Sequence, residues 1–311
     1  MATNIVDVRG CPHTYDLTAS TQTPPVLVFV HGWLLSRAYW QPVVEQLAAD
    51  FRCLTYDLRG FGDSQHTAES DVLIDESQSI AGMPKTACGY TPADYARDLE
   101  ALLRHLQLDD VWLIGHSLGG SIALWAAEHM PDRVRGVICV NSGGGIYLKE
   151  EFERFRSAGE QLVKLRPRWL CYLPLLDVMM SWMNVAHPLP RSWGRQRLID
   201  WTAAHPDAAL GALLESTTED EVHRLPQVVS RLQQPVYFLT GQKDTVMEPQ
   251  YVQHLASFHH LFQQEGNNVI QIPNCGHLAM LERTDCVVEN IRDILTRHLQ
   301  NGSASLKEST L

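Results

Sequence analysis

The pentapeptide Gly115-His116-Ser117-Leu118-Gly119 decides the fold of this chain. It follows a short apolar run at residues 111–114 and precedes a segment with helical spacing at residues 122–129. A serine on a tight turn between a strand and a helix projects its oxygen above the edge of a sheet, and flanking glycines relieve the crowding there. The pattern therefore predicts Ser117 as a nucleophile, with the positive N-terminus of the helix directed at developing negative charge.

Strand-like and helix-like segments alternate on both sides of this motif. The apolar runs with the composition of strands are residues 26–30, 53–56, 111–114, 137–140, 236–239 and 269–272. Most are apolar without interruption, as expected for parallel strands that are covered on both faces. One intervening helix is predicted to begin at Thr91, a capping hydroxyl that is followed by Pro92 and Asp94. This alternation predicts an α/β fold with a mostly parallel, doubly wound sheet, to which the first 23 or so residues add one or two antiparallel edge strands.

Two segments interrupt the alternation. Residues 66–89 form a polar stretch that is long enough to be either a functional flap or disordered. Residues 147–221 contain no clear strand and are rich in tryptophan and methionine, which we interpret as a mostly helical cap inserted into the sheet domain. The predicted organisation is a core of residues 1–146 and 222–300, a cap of residues 147–221, and a disordered tail at residues 301–311.

Composition and charge narrow the classes of partner and location. The chain has 311 residues, of which 45% are hydrophobic and 20% charged, and its formal net charge is -11. This acidic balance argues against a nucleic-acid partner and favours a neutral or apolar small-molecule substrate. We expect neither a secretory signal nor a transmembrane segment, because no apolar run approaches the ~20 residues that span a bilayer. The seven cysteines include no Cys-x-x-Cys pair, so we expect reduced thiols, a cytoplasmic location, and neither a metal nor a cofactor.

The base and the acid that Ser117 requires are predicted late in the chain. His277 lies in the loop that follows the apolar run 269–272, at the carboxyl end of a predicted strand. Asp244 follows the run 236–239 in the same way, and the active sites of open α/β sheets lie at this edge. The sequence therefore predicts a triad in which Asp244 is the orienting acid and His277 is the base.

Attack on an acyl carbon also creates an oxyanion, which two hydrogen-bond donors must stabilise. The backbone N–H of Leu118, at the start of the predicted helix, supplies one donor. The run 26–30 ends at His31-Gly32-Trp33, where glycine permits a close backbone turn and the N–H of Trp33 supplies the second donor. We therefore predict an oxyanion hole formed by Trp33 and Leu118.

Together these motifs resemble those of the α/β-hydrolase superfamily, in its serine branch with a helical cap. The resemblance covers residues 24–142 and 222–298, and it is carried by His31-Gly32, Asp57-Leu58-Arg59-Gly60-Phe61-Gly62-Asp63-Ser64, the pentapeptide around Ser117, Asp244 and His277. It implies an α/β-hydrolase fold and, at residues 57–64, a structural turn without catalytic side chains. Serine as the nucleophile argues against the haloalkane dehalogenases and epoxide hydrolases of this superfamily, which use aspartate. Perhydrolase-like members and carbon–carbon bond hydrolases share the serine triad and remain open.

Three functions fit these residues. The first is a serine hydrolase that cleaves a carboxylic ester, of apolar type, through an acyl-enzyme. The second is a lyase similar to the 2-succinyl-6-hydroxy-2,4-cyclohexadiene-1-carboxylate synthases of menaquinone biosynthesis, which resemble this chain in the pentapeptide and the His-Gly turn. That family tends to carry an arginine just after the glycines of this motif, Gly119 and Gly120, where this chain has Ser121. The third is a non-enzymatic small-molecule receptor that keeps the triad and stalls early when it is given an activated ester.

Arginines in the cap bear on the choice between hydrolase and lyase. One possibility is that they bind a substrate carboxylate through two parallel hydrogen bonds, in place of the arginine that is absent at position 121. The other is that they lie along the surface of the cap helices with their charged ends in water. The arginines concerned are Arg166, Arg168, Arg191, Arg195 and Arg197.

The composition of the cap favours an apolar binding pocket. Aromatic and methionine side chains crowd residues 169–182, and methionine-rich surfaces adapt to varied hydrophobic ligands. The same side chains are equally suited to packing the cap onto the core, and both roles stay open. The predicted substrate contacts are His116, Trp169, Met179, Met180 and Trp182.

Overall fold

The computed structural model describes residues 3–19, 21, 25–65, 89–143, 149–264 and 268–308. Its strands are β1 (Thr3–Val8), β2 (Cys11–Leu17), β3 (Val26–Val30), β4 (Cys53–Tyr56), β5 (Val111–His116), β6 (Val134–Val140), β7 (Val236–Gly241) and β8 (Val269–Ile272). They form one sheet in the order β1-β2-β4-β3-β5-β6-β7-β8. β1 and β2 pair antiparallel with their neighbours and the remaining pairs are parallel. This arrangement confirms the predicted mostly parallel sheet with an antiparallel N-terminal edge.

Helices separate most of the parallel strands. The helices before β6 are α1 (Gln41–Leu47), α2 (Pro92–His105) and α3 (Leu118–His129). Those between β6 and β7 are α4 (Lys149–Lys164), α5 (Leu176–Trp182), α6 (Arg191–Ala203), α7 (Pro206–Ser216) and α8 (Glu219–Arg231). The last four are α9 (Pro249–Ala256), α10 (His260–Gln264), α11 (Ala279–Glu282) and α12 (Thr284–Glu308). Short 3-10 helices occupy Arg37–Trp40, Gly62–Ser64 and Arg168–Tyr172.

Both faces of the sheet are covered, because side chains of the central strands alternate between two buried clusters. In β3, Val28 and Val30 belong to the cluster that includes residues of α2 and α3, whereas Leu27 and Phe29 belong to the cluster that includes residues of α1 and α12. Neither face meets water, so these strands must be apolar without interruption. For this reason the predicted strands coincide with the observed ones to within a few residues.

Helix α2 shows how local sequence and packing fix an element together. The Thr91 hydroxyl accepts a hydrogen bond from the Asp94 N–H at 3.0 Å, and Pro92 occupies the first turn. Tyr95 and Leu99, one turn apart, are fully buried in the cluster shared with α3. Burial of each such side chain stabilises the fold by about 1.5–3 kcal/mol, which anchors α2 on the sheet.

Some element boundaries differ from those predicted. Helix α3 begins at Leu118 and not at residue 122, because the glycines after Leu118 are helical here. The predicted boundary after residue 221 falls inside α8, which runs without interruption from Glu219 to Arg231. Helix α12 runs to Glu308, and the disorder expected for residues 301–311 stays a prediction. The predicted polar loop, apart from its last residue, lies outside the described residues.

Helices α4 to α7, called the cap helices below, lie between β6 and β7. Residues from all four of these helices line one cavity together with Ser117, so the cap helices cover the carboxyl edge of the sheet at that point. Within the described ranges, no helix combines the length and the apolarity needed to cross a membrane.

Candidate active site

Ser117 lies on a strained turn between β5 and α3. Its backbone has φ 51° and ψ -120°, a region that residues other than glycine rarely adopt. A Cβ on Gly115 would lie 2.2 Å from the Gly119 carbonyl oxygen, and a Cβ on Gly119 would lie 2.3 Å from the Val30 carbonyl oxygen. Because neither position can carry a side chain, these glycines allow α3 to start directly against the end of β3, with Ser117 at the sheet edge.

His277 and Asp244 form a hydrogen-bonded pair at the same edge. His277 Nδ1 lies 2.8 Å from Asp244 Oδ2. Asp244 Oδ1 accepts the backbone N–H groups of Val246 at 2.8 Å and Met247 at 3.0 Å. Burial raises the pKa of the Asp244 carboxyl, but His277 and these two donors lower it by more, so the net pKa lies below the ordinary value. The ionised carboxylate accepts Nδ1–H of His277, which leaves Nε2 as the basic nitrogen.

Buried polar side chains behind this pair hold the loops that carry it. Asn141, directly after β6, donates from Nδ2 to Asp244 and to the Gly276 carbonyl oxygen. His116 Nε2 lies 2.7 Å from the His277 carbonyl oxygen, and the two imidazole rings are 4.8 Å apart. Burial, and then the neighbouring His277, lower the pKa of His116 to about 3, so its neutral ring donates Nε2–H to that carbonyl. Sequence reasoning missed Asn141, although its place at the carboxyl end of a strand was the available signal.

The two predicted oxyanion donors lie close to Ser117. Leu118 is the first residue of α3, so its N–H has no partner inside the helix. Trp33 follows Gly32, where a Cβ would lie 3.2 Å from the Ser117 Cβ and 2.8 Å from His116 Nδ1. Glycine at position 32 therefore lets the backbone after β3 approach the serine, and Trp33 and Leu118 both line the cavity that contains it.

His31 fixes this stretch of backbone. Its Nδ1–H donates to the Gly32 carbonyl oxygen at 2.8 Å, and its Nε2 accepts the Leu58 N–H at 2.9 Å. Burial lowers the pKa of His31 to about 4, which keeps the ring neutral and both bonds in place near neutral pH. The His-Gly pair thus connects the loop after β3 to the loop after β4.

Residues 57–64 form a buried turn beside this region. Asp57 accepts the backbone N–H groups of Arg37 at 2.7 Å and Asp63 at 2.9 Å. Gly62 has φ 52°, and a Cβ there would lie 2.4 Å from the Asp57 carboxyl carbon. In the described part of the chain, this turn contributes no side chain to the cavity lining, in keeping with the structural role that the resemblance implied.

Ser117 and His277 line one cavity of about 500 Å3. Its walls are mostly apolar and come from the sheet edge, the cap helices and α8. Apolar side chains of the lining include Trp33, Leu162, Met180, Met183, Trp201 and Leu225. Apart from histidine, the charged side chains of the described lining are Arg197 and Glu221, and both are buried.

Two of the five predicted substrate contacts line this cavity, namely His116 and Met180. The prediction is wrong for Trp169, Met179 and Trp182, which are 59%, 57% and 63% exposed and lie outside the lining. Successive residues of a helix point about 100° apart, so the inward position of Met180 on α5 turns Met179 toward solvent. The crowding of apolar residues in this segment predicts a pocket, but most of these side chains face outward.

The cap arginines fall into two groups. Arg166 is buried and donates to the carbonyl oxygens of Trp201 and Ala204, both at 2.7 Å, so it serves the packing of the cap. Arg197 is buried as well, but it lines the cavity. The exposed arginines are Arg168, Arg191 and Arg195. Of these five arginines, only Arg197 is among the described residues that line the cavity, where a substrate would contact it.

Comparison with known proteins identifies the family. A family model described as the alpha/beta hydrolase fold matches residues 25–177. A 2-succinyl-6-hydroxy-2,4-cyclohexadiene-1-carboxylate synthase from Salmonella paratyphi A is 30% identical over 277 residues, which are 87% of this chain and 94% of the relative. The chain belongs to the α/β-hydrolase family.

Solved structures share the fold at lower sequence identity. An esterase from Thermogutta terrifontis is 23% identical with a TM-score of 0.69, and the match covers 96% of this chain and 99% of the esterase. The enol-lactonase from Burkholderia xenovorans LB400 is 18% identical with a TM-score of 0.70, over 94% of this chain and all (100%) of the lactonase. These likenesses show the shared fold. The relative and the two solved structures described here are enzymes, which supports an enzymatic role for this chain.

Proposed function

We propose that this chain is a serine hydrolase that cleaves an apolar carboxylic ester. The observation that carries the proposal is the 2.8 Å hydrogen bond between His277 and Asp244, because this histidine lines the same cavity as Ser117. Membership of the family leaves the reaction open, since one fold supports many chemistries. The proposal therefore rests on the arrangement of these three side chains.

In the proposed reaction, Ser117 Oγ attacks the ester carbonyl carbon while His277 Nε2 takes the hydroxyl proton. The carbonyl oxygen becomes an oxyanion that accepts hydrogen bonds from the N–H groups of Trp33 and Leu118. Collapse of this intermediate breaks the bond to the alcohol, which receives the proton from His277, and leaves the acyl group on Ser117. Water, deprotonated by His277, then attacks the acyl-enzyme, releases the carboxylic acid and restores the serine.

The remaining polar side chains have supporting roles in this proposal. Asp244 orients the His277 ring and stabilises the imidazolium that forms during attack. Asn141 and His116 are positioning residues in this proposal, because Asn141 donates to the acid and His116 donates to the backbone of the histidine loop.

The lining of the cavity supports an apolar substrate. Met180, Met183 and Trp201 face the space beside Ser117, and each methylene group that they remove from water contributes about 0.8 kcal/mol. The volume of about 500 Å3 falls within the range of roughly 300–1,000 Å3 that is usual for small-molecule sites. A medium or long acyl or alcohol chain therefore fits better than an acetyl group alone.

A second candidate is the reaction of the relatives that are named 2-succinyl-6-hydroxy-2,4-cyclohexadiene-1-carboxylate synthase. The observation that favours it is Arg197, because a guanidinium in the cavity can hold a carboxylated substrate through two parallel hydrogen bonds. Two observations weaken it. Ser121 occupies the position after Gly119-Gly120 where that family is expected to carry arginine, and Arg197 already donates to the carbonyl oxygens of Met180 and Met183.

A substrate panel on the purified protein tests the proposal against this alternative. The panel contains activated esters of increasing acyl length, acyl thioesters and the intermediate on which the synthases act, and kcat/KM is measured for each. The ester-hydrolase proposal predicts sustained turnover that improves with acyl length. Poor activity on every ester, together with turnover of the synthase intermediate, would favour the lyase, and a burst that stops at the acyl-enzyme would favour a receptor.

Arg197→Lys provides the matched variant for this panel. Lysine keeps the charge but lacks the planar fork of the guanidinium. The hydrolase proposal predicts that kcat/KM for apolar esters falls little in this variant, whereas the lyase predicts a strong loss on the carboxylated substrate. A thermal unfolding midpoint close to that of the parent shows that the buried position tolerates the change.

A further inference from the structure

A broad apolar surface lies on the outside of the cap, away from the cavity. Six large apolar side chains there are between 42% and 84% exposed. Monomeric proteins seldom expose contiguous apolar patches larger than a few hundred Å2, and larger ones mark interaction sites. This surface, called the apolar cap face below, consists of Trp169, Tyr172, Leu173, Leu175, Met179 and Trp182.

Helical spacing gathers these side chains into two stripes. The first three follow an i, i+3, i+4 pattern on the 3-10 helix Arg168–Tyr172 and just after it. The last three follow an i, i+4, i+7 pattern that begins at Leu175, just before α5, and continues along α5. The 3-10 helix and α5 contact each other, and both pack on α6. The two stripes therefore belong to one layer that α6 supports from below.

The inner side of α5 belongs to the candidate active site. Met180, which is 3% exposed, lines the cavity with Ser117, while the neighbouring Met179 is 57% exposed on the apolar cap face. Met183, one residue beyond the end of α5, lines the cavity too. A single helix thus separates the cavity from this outer surface.

Cationic side chains border the apolar cap face, although the chain as a whole has a net charge of -11. Arg168 begins the 3-10 helix and is exposed. Arg191 and Arg195 occupy exposed positions on α6; the first pairs with Asp177 and the second donates to the Cys171 carbonyl oxygen. Three arginines, one of which is paired with Asp177, therefore lie beside the exposed aromatic rings in an otherwise acidic protein.

We propose that the apolar cap face docks onto an anionic lipid surface, from which an apolar ester can pass into the cavity; the passage of the ester rests on the function proposed above. Tryptophan and tyrosine are enriched at the interface of bilayers, because their rings are apolar while their N–H or O–H groups reach water. Arginines beside them are attracted to anionic headgroups. A two-fold dimer through the same face would instead bring the arginines of one copy close to those of the other.

Co-sedimentation with vesicles tests this proposal, using the full chain with Ser117→Ala so that no ester is turned over. The vesicles contain phosphatidylcholine alone or phosphatidylcholine mixed with phosphatidylglycerol. We expect binding to the mixed vesicles, much weaker binding to phosphatidylcholine alone, and weakening by salt. Combined Trp169→Ser and Trp182→Ser abolishes binding, and Arg168→Glu lowers the partition constant roughly fivefold or more. Ile5→Ser and Phe258→Ser are matched controls, since they remove exposed apolar side chains outside the cap, and they leave vesicle binding unchanged.

Two kinds of result would overturn the proposal. One is failure of the parent to sediment with mixed vesicles, or equal sedimentation of the parent and the double tryptophan variant when both have the same circular dichroism. The other is a concentration-dependent dimer in sedimentation velocity that the two tryptophan substitutions abolish, because a second copy would then cover this face. Vesicle binding needs no chemistry, so intact binding without ester hydrolysis supports the docking surface and contradicts only the proposed function.

Discussion

Asn141 donates a hydrogen bond from Nδ2 to Asp244 Oδ2 at 2.8 Å, and the same carboxylate oxygen lies 2.8 Å from His277 Nδ1. The Asn141 amide nitrogen also lies 3.1 Å from the Gly276 carbonyl oxygen. One buried amide thus joins the end of β6 to both loops that carry the proposed acid and base. The Asn141 backbone has φ 49°, a conformation that asparagine tolerates better than most residues.

Asn141→Gly tests this positioning role without straining the backbone, because glycine adopts φ 49° freely. We expect kcat on an activated ester to fall roughly 10- to 100-fold with little change in KM, since the loss of a buried hydrogen-bond donor costs about 1–3 kcal/mol. Asn141→Ala should be at least as damaging, because it adds backbone strain. Steady-state kinetics on both variants checks this, and an unchanged kcat in Asn141→Gly would contradict the role.

His116 gives a second test of how the histidine loop is held. His116→Phe keeps a ring of similar shape but removes the Nε2–H that donates to the His277 carbonyl oxygen. We expect a lower kcat and a nearly unchanged KM, and we expect His116→Gln, which retains a donor, to recover part of the loss. Equal kcat values for the Phe and Gln variants would show that the hydrogen bond has no part in positioning His277.

Neighbouring methionines on α5 provide a matched test of the cavity. Each methylene added to the acyl chain should raise kcat/KM roughly fourfold until the cavity is full, which corresponds to about 0.8 kcal/mol per group. Met180→Ala enlarges the cavity and should shift the optimum to longer chains, whereas Met179→Ala should leave the chain-length profile as it is. A profile that falls from acetate upward, or equal shifts in the two variants, would contradict the apolar-ester proposal.

The same two methionines show where sequence reasoning ends. Strands, the turn at Ser117 and the edge that carries Asp244 and His277 could be predicted, because each depends on a local pattern or on the common edge of parallel strands. Which side of α5 faces the cavity could not, because large apolar residues lie on both sides of this helix, with Met180 inside and Met179 and Trp182 outside. Trp169 and Trp182 are exposed because of the way their helices pack on α6, and this packing cannot be predicted from the local sequence.

Long-range contacts were equally hidden. Asn141 meets Asp244 across 103 positions of sequence, and His116 meets His277 across 161. A lone polar residue after a strand is compatible with many partners until the strand order is known. The strand order β5-β6-β7-β8 brings these residues together, and this order is a property of the folded chain that the local sequence does not determine.

Asp200 predicts a pH dependence of stability. Burial raises the pKa of this carboxyl from its ordinary value of 3.8 to about 7, although hydrogen bonds from Gln196 and Ser36 lower it in part. Between those two values the folded state keeps a proton that the unfolded state has lost. The contribution of Asp200 to the free energy of unfolding is therefore complete below pH 3.8 and is lost as the pH rises toward about 7.

Asp200→Asn removes this titration and is the reference for measuring it. We expect the free energy of unfolding of the wild type, relative to that of Asp200→Asn, to fall between about pH 4 and about pH 7 and to level off above that. Urea unfolding of both proteins at several pH values in that window measures the difference. A difference that stays constant with pH would contradict a raised pKa at Asp200.

Covalent labelling is the most direct test of the proposed chemistry at Ser117. A serine-directed fluorophosphonate is added to the wild type, Ser117→Ala, Ser121→Ala and His277→Ala, and the adduct is located by peptide mass spectrometry. We predict a single adduct on Ser117 in the wild type, none in Ser117→Ala, and slow labelling in His277→Ala, because the serine then lacks its base. Ser121, which lies in the first turn of α3 and lines the same cavity as Ser117, is the matched control, and Ser121→Ala should still label at Ser117. An adduct on any other residue, or labelling of Ser117→Ala at the wild-type rate, would contradict Ser117 as the nucleophile.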